Sequence, residues 1–125
     1  MNVEKQVAYW LDSAKEDWDV AQKLIDTDSI RHGLFFVHLT VEKTLKALVC
    51  KRTKAVPPRI HNLASLSNMA GLVLDERQEN ILSSINKMNL LGRYPDFSPI
   101  RTDKKSAVKY LQDAEEIYQW LTKQL

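Results

Sequence analysis

Apolar residues recur along most of the chain at steps of three and four positions, the spacing that gathers them on one face of an α-helix. The first of these stripes predicts a helix from about Val3 to Ile25 whose other face is charged. The second predicts a helix from about Ile30 to Lys51 that is apolar over most of its surface. Such a helix is typical of the centre of a bundle or of a subunit interface.

Short polar side chains mark the predicted helix starts, because they accept hydrogen bonds from the free N–H groups of a first helical turn. One of them, Asp75, is followed three residues later by Gln78, which is the spacing of a capping box and predicts a fourth helix to about residue 90. A short third helix should reach about residue 70, and a last helix should run to the end of the chain. The predicted caps are Asp28 or Ser29 for the second helix, Asn62 for the third, Asp75 for the fourth, and Thr102 or Asp103 for the last.

Two segments with two prolines each interrupt the helical pattern, because proline lacks the N–H group that a helix interior needs. Residues 52–60 are predicted to be an extended loop, and residues 93–99 cannot form a regular helix. Gly92 suits the C-terminal end of the fourth helix. The side chain of Met69 is expected to face inward from the third helix. No segment alternates with period two. The sequence therefore predicts an all-α fold in one domain, residues 1–125.

Charge is unevenly distributed along the chain, although the net charge is only +2. Residues 43–74 carry six basic residues and no acidic one. This basic segment could attract a phosphate-bearing ligand, or it could match a helix C-terminus and a solvated loop. The single cysteine, Cys50, excludes an internal disulfide and a cysteine-rich zinc site. Because we see neither a leader peptide nor a membrane span, we expect a cytoplasmic protein with no membrane partner. The three histidines show no metal-ligand spacing, and we expect neither a metal nor a cofactor.

Three motifs, in order along the chain, carry a resemblance to a known family. Residues 36–48 read Phe-Val-His-Leu-Thr-Val-Glu-Lys-Thr-Leu-Lys-Ala-Leu, residues 61–66 read His-Asn-Leu-Ala-Ser-Leu, and residues 93–96 read Arg-Tyr-Pro-Asp. Together they resemble the HEPN family, the higher-eukaryote and prokaryote nucleotide-binding domains. The resemblance implies an up-and-down bundle of four or five helices, often a homodimer. It also implies a minimal nucleotidyltransferase as partner, in a toxin–antitoxin-like or nucleotide-handling pair.

Some HEPN proteins are metal-independent ribonucleases, and the resemblance therefore raises the question of catalysis. Their signature, Arg-x(4–6)-His, requires an imidazole near the arginine for proton transfer. Arg93 is the natural candidate for the arginine, but no histidine follows it in this chain. His38 follows Arg31 at the required spacing, on the second helix rather than near the last. The weak catalytic candidates are Arg93, His38 and His61, with a buried structural histidine as the alternative for His38.

A second set of residues could bind phosphate, because cationic side chains and imidazoles recognise its oxygens. Glu42 and Asp96 are candidates for structural pairing: Glu42 follows an apolar run and would need Arg93 or a lysine as partner. Arg93 could instead pair with Asp96 and order its loop, and His61 could fix its own loop onto the bundle. The phosphate-binding candidates are Lys43, Lys46, Arg59, His61 and Arg93.

Three functions remain open from the sequence. The first is a non-catalytic or weakly catalytic HEPN subunit that binds a nucleotide or docks on a nucleotidyltransferase as a homodimer. The second is a ribonuclease toxin that combines Arg93 with His38 or His61. The third is a dimeric interaction module without a ligand. The missing histidine after Arg93 favours the first.

Overall fold

The computed structural model describes residues 1–94, 96 and 98–125, and these residues form five α-helices and no strand. The all-α prediction is confirmed. The helices form an up-and-down bundle, with connections of three to twelve residues between neighbours. The helices are α1 (Val3–Asp26), α2 (Ile30–Thr53), α3 (Leu63–Met69), α4 (Glu76–Leu91) and α5 (Lys104–Thr122).

Helix α2 is the centre of the bundle and contacts each of the other four helices. Its apolar residues lie on most sides of the helix, and side chains such as Leu34 and Leu45 are completely buried. Burial of a leucine side chain contributes about 1.5–3 kcal/mol relative to exposure. Helices α1 and α5 instead bury one stripe each and turn a charged face to solvent, as their spacing predicts.

The predicted caps of the last three helices are present. Asn62, Asp75 and Asp103 each accept a hydrogen bond from the backbone N–H three residues on, at 2.9, 2.7 and 3.0 Å. The side chain of Gln78 completes the capping box of α4. Ser29 occupies the cap position of α2, but its side chain makes no capping bond within the described part of the chain.

Two local predictions are wrong, the end of α2 and the orientation of Met69. Helix α2 ends at Thr53 rather than Lys51, and Lys54 takes a left-handed conformation with φ of 59°. Met69 is 43% exposed, because α3 has only seven residues and its buried stripe stops before its last turn. Gly92 is the C-cap of α4, as predicted, and has an ordinary φ of −80°. Its lack of a side chain matters for packing, since a Cβ there would lie 2.6 Å from the Phe35 ring.

Lys104, the first residue of α5, joins that helix to the C-terminal end of α1. Its Nζ donates to the carbonyl oxygens of Ile25 and Asp26, at 2.8 and 2.9 Å, and to the carboxylate of Asp28 at 3.0 Å. The ammonium group of this side chain therefore lies at the carbonyl end of α1, where a positive charge is favourable. Among the described helices, none is long and apolar enough to cross a membrane.

Candidate functional site

One buried carboxylate organises the candidate site. Glu42 Oε1 accepts a hydrogen bond from His61 Nδ1 at 2.8 Å, and Oε2 accepts one from Lys46 Nζ at 3.2 Å. His38 Nε2 lies 3.2 Å from the backbone carbonyl oxygen of His61. His38, Glu42 and Lys46 are spaced four residues apart on α2 and therefore share one face. We call these four residues, His38, Glu42, Lys46 and His61, the Glu42 cluster.

The partners of the two imidazoles fix which nitrogen of each carries the proton. A carbonyl oxygen only accepts hydrogen bonds, so His38 holds its proton on Nε2. A carboxylate also only accepts, so His61 holds a proton on Nδ1. These assignments follow from the bonding partners. They leave the Nδ1 of His38 buried without a partner among the described residues, 3.8 Å from Glu42 Oε1.

His38 is completely buried, which changes its chemistry. Burial lowers the pKa of its imidazole from 6.5 to about 4, because a charged ring would lose its hydration. Glu42 and the carbonyl of His61 oppose this shift, whereas the charges of His61 and Arg93 reinforce it. His38 is therefore neutral near pH 7 and enclosed by protein. This catalytic candidate has no surface with which to contact a ligand.

Two lysines among the phosphate-binding candidates are held by carboxylates inside the protein. Lys43 Nζ lies 2.7 Å from Asp17 and donates to Ser13 Oγ at 2.8 Å, which ties α2 to α1. Lys46 pairs with Glu42 and lies 5.4 Å from the centre of the Trp10 ring. Because their ammonium groups already have anionic partners, phosphate would have to compete with a carboxylate at both positions.

Arg93 and Asp96 occupy the segment between α4 and α5. The Arg93 guanidinium lies 5.8 Å from the centre of the Phe35 ring, and its Nε is 3.4 Å from Asn89 Oδ1. Within the described residues it forms no ion pair with Asp96 or with Glu42, whose cationic partner is Lys46. Both Arg93 and Asp96 are exposed, and the Pro95 between them lies outside the described residues. The guanidinium is therefore stacked in place with its charge accessible to solvent.

Arg59 and His61 belong to the segment that leads from α2 to α3. Pro57 is buried and anchors this segment, whereas Arg59 is exposed. The side chain of His61 is 48% exposed even though its Nδ1 contacts the buried Glu42. The structure thus brings His61 to the Glu42 cluster and leaves Arg59 and Arg93 as exposed cations.

The Glu42–His61 pair is the arrangement with the clearest chemical consequence. A carboxylate that holds one nitrogen of an imidazole fixes the tautomer and the orientation of the ring. The other nitrogen, Nε2, has no protein partner among the described residues and is available to a ligand. No group of three His, Cys, Asp or Glu residues suited to a metal ion occurs in the described part of the chain.

Comparison with known families decides the relationship. The family model for the HEPN domain matches residues 7–125. The chain belongs to the HEPN family. Because this match covers nearly the whole chain, the HEPN resemblance seen in the sequence motifs is confirmed. A search of curated protein sequences finds no match.

Two solved structures share this HEPN fold. The protein TT1696 from Thermus thermophilus superposes with a TM-score of 0.80 at 21% identity, covering 96% of this chain and 98% of that one. ST0689, an archaeal HEPN homologue, superposes with a TM-score of 0.71 at 19% identity, covering 94% and 96%. At these identities the comparison supports the fold alone.

The contact between Glu42 and His61 could not be read from the sequence. The two residues are 19 positions apart and lie on opposite sides of a loop. Two signals were present: an acidic residue within an apolar helix, which needs a partner, and a histidine directly before a short helix. Neither signal identified the other residue, because the geometry of the loop decides whether His61 reaches Glu42.

Proposed function

We propose that this HEPN chain is a non-catalytic, dimeric subunit that binds a nucleotide beside His61 and Arg93 and works with a minimal nucleotidyltransferase in a toxin–antitoxin-like pair. The observation that carries the proposal is the Glu42–His61 hydrogen bond of 2.8 Å. It holds a half-exposed imidazole in one orientation at the surface. A preoriented group loses less side-chain entropy when a ligand binds.

The exposed cations support a phosphate-bearing ligand. Arg93 is stacked on Phe35 and lies near enough to His38 to lower the pKa of that buried imidazole, which itself bonds the backbone of His61. Arg59 is exposed two positions before His61. An arginine presents a planar fork that binds two phosphate oxygens at once. In contrast, Lys43 and Lys46 are held by internal carboxylates.

The states of the histidines favour binding over strand cleavage. The family's ribonuclease signature needs a histidine shortly after the arginine, and none follows Arg93. His38 is buried, with a pKa lowered to about 4 by burial, so it cannot serve as a proton carrier at the surface near neutral pH.

Dimerisation is proposed because HEPN domains commonly dimerise; analytical ultracentrifugation of the purified chain tests it.

Isothermal titration tests the binding proposal. ATP and a short single-stranded RNA are titrated into the wild-type protein at low and at physiological salt, with Arg93→Ala beside it. Lys15→Ala is the matched control, because it removes the same charge from the exposed face of α1. Saturable binding that Arg93→Ala weakens and Lys15→Ala retains is the expected result. Absence of binding to either ligand would contradict the proposal and favour a docking module.

A second candidate function is ribonuclease activity, and the Glu42–His61 pair favours it specifically. An imidazole held by a carboxylate can accept a proton from a ribose hydroxyl, and Arg93 could stabilise the phosphate charge. Cleavage of a labelled RNA that His61→Ala abolishes and Lys15→Ala retains would establish this function. The proposal of a non-catalytic subunit would then be wrong.

A further inference from the structure

We infer that the first turns of α1 line a docking groove for an amphipathic helix of a protein partner, and that this helix carries acidic residues along one edge of its apolar face. The groove shares no lining residue with the proposed nucleotide site. Docking here is therefore independent of nucleotide binding. Three observations support it: an uncovered apolar row on α1, a groove beside that row, and two exposed lysines at the rim of the groove.

The apolar stripe of α1 is covered along only part of its length. The residues of its C-terminal half are buried in the bundle. They are Ala14, Trp18, Ala21 and Ile25. The residues that continue this stripe towards the N-terminus, Val3, Val7 and Leu11, are only half-buried. We call these three residues the α1 row. A water-exposed row of this kind on an otherwise packed stripe is a candidate contact surface.

The lengths of two helices explain why the α1 row is uncovered. Helix α5 begins beside the C-terminal end of α1, where Lys104 bonds the carbonyl oxygen of Ile25. It packs against α1 at Trp18, whose ring centre lies 5.5 Å from that of Tyr118. Helix α1 has 24 residues and α5 has 19, so α1 is longer by about 7 Å. The first turns of α1 therefore extend beyond the helix that packs against its stripe.

An open groove with a volume of about 420 Å³ lies beside the α1 row. Its other side is formed by residues from the C-terminal end of α2 and by Leu125. The members of the α1 row are four positions apart and form a ridge about 12 Å long. Ridges with this spacing pack into the grooves of a second helix. The shape of this surface therefore suits an added helix with an apolar face.

The charges at the rim determine which kind of helix fits. Lys51 and Lys54 are exposed and line the groove, and Lys54 forms no ion pair within the described residues. Lys51 Nζ donates to the backbone carbonyl oxygen of Leu125, which holds the lysine beside the groove. Among the described lining residues, Glu4 is the only acidic one. Two cations face one carboxylate, so a partner helix with acidic residues beside the lysines is complementary in charge.

The experiment uses three labelled peptides of about 14 residues, four helical turns each. The first has leucines at every third or fourth position and glutamates along one edge. The second has lysines in place of the glutamates, and the third has serines in place of the leucines. Fluorescence anisotropy with the wild-type protein should show saturable binding of the first peptide only. Its affinity should fall as the salt concentration rises, because exposed charges are screened.

Two variants locate the binding at the groove. Val7→Asp places a charge in the α1 row and should weaken binding of the acidic peptide by about tenfold or more. Val20→Asp adds the same charge at an exposed position of α1 outside the groove and should leave binding unchanged. Lys54→Glu should weaken binding by about three- to tenfold and increase the affinity for the lysine peptide. Lys87→Glu, the same change at an exposed position of α4, should do neither.

The outcomes decide between a docking groove and an exposed helix end. Binding of the acidic peptide that both groove variants weaken and both controls retain would support the proposal. Absence of binding, or binding that a folded groove variant leaves unchanged, would overturn it. Equal binding of the acidic and the lysine peptide would overturn the acidic partner. Circular dichroism verifies that each variant is folded, and the exposed Lys54→Glu keeps the test decisive if Val7→Asp is not.

Discussion

Acidification should destabilise the fold through His38. Burial lowers the pKa of its imidazole from 6.5 to about 4 in the native protein, whereas the unfolded chain exposes the ring to water. Between these two values the unfolded chain binds a proton that the native chain does not. The contribution of the neutral imidazole to stability is therefore complete above about pH 6.5 and is lost progressively as the pH falls towards 4.

The size of the effect follows from the shift. One pKa unit corresponds to about 1.4 kcal/mol, so the complete shift amounts to about 3 kcal/mol. At about pH 5, His38 is almost fully protonated in the unfolded chain and is mostly neutral in the native protein. The free energy of unfolding should therefore already have fallen by about 2 kcal/mol at this pH. A loss of this size is a large fraction of the stability of an ordinary domain.

The assay is urea unfolding followed by circular dichroism at about pH 8 and about pH 5, for the wild type and for His38→Gln. The glutamine amide can donate to the carbonyl oxygen of His61, as Nε2 does, and does not titrate. All other ionisable groups are common to both proteins. The free energy of unfolding of the wild type should fall by about 2 kcal/mol more than that of the variant over this interval.

An equal loss of stability in the two proteins would refute this account. It would show that the native structure admits a proton on His38, through water or through rearrangement around Glu42. The slope of the unfolding free energy against urea concentration should be the same in the two proteins at each pH. A slope that changes in only one of them indicates a change in its denatured or native ensemble, and the two free energies are then not comparable.

Three further changes probe the fold. Asp75→Ala removes an N-cap and should cost about 1 kcal/mol in thermal or urea unfolding; no loss would mean that the capping box is not needed in α4. Gly92→Ala places a Cβ 2.6 Å from the Phe35 ring and should cost about 1–3 kcal/mol, and a neutral result would show that the ring moves freely. Arg77→Ala breaks exposed ion pairs with Asp113 at 3.4 Å and Glu116 at 2.8 Å and should leave the midpoint of urea unfolding nearly unchanged, because water screens exposed pairs; a clear fall in the midpoint would contradict this.

The sequence predicted the helices well, because their causes are local. Apolar spacing and cap residues act within a few positions, so α1 and α4 begin where the sequence predicts. Asp103 rather than Thr102 caps α5, since its side chain reaches the N–H of Ser106. Local patterns predicted the inward orientation of Met69 incorrectly, because the length of α3 and not the spacing decides which side chains are covered.

The candidate site was less predictable, because its contacts join distant parts of the chain. Nothing in the spacing of residues shows that Lys43 reaches Asp17, 26 positions earlier, or that His61 reaches Glu42. The Glu42–Lys46 pair is the exception, because residues four positions apart on one helix are neighbours. The need for a glycine at position 92 was hidden for the same reason, because a Cβ there would collide with the Phe35 ring of α2. Composition identified residues with suitable chemistry, and only the packed structure shows which of their groups remain available.

The Glu42 cluster also restricts how this protein can change during evolution. Loss of one partner of a buried ion pair costs about 3–5 kcal/mol, whereas replacement of the whole pair by apolar residues of similar volume is often neutral. Single substitutions at Glu42 or Lys46 should therefore be selected against, while joint substitutions are tolerated. Across HEPN relatives, the residues at positions 42, 46 and 61 should covary, and a lineage with an apolar residue at position 42 should have lost the cation at position 46 as well.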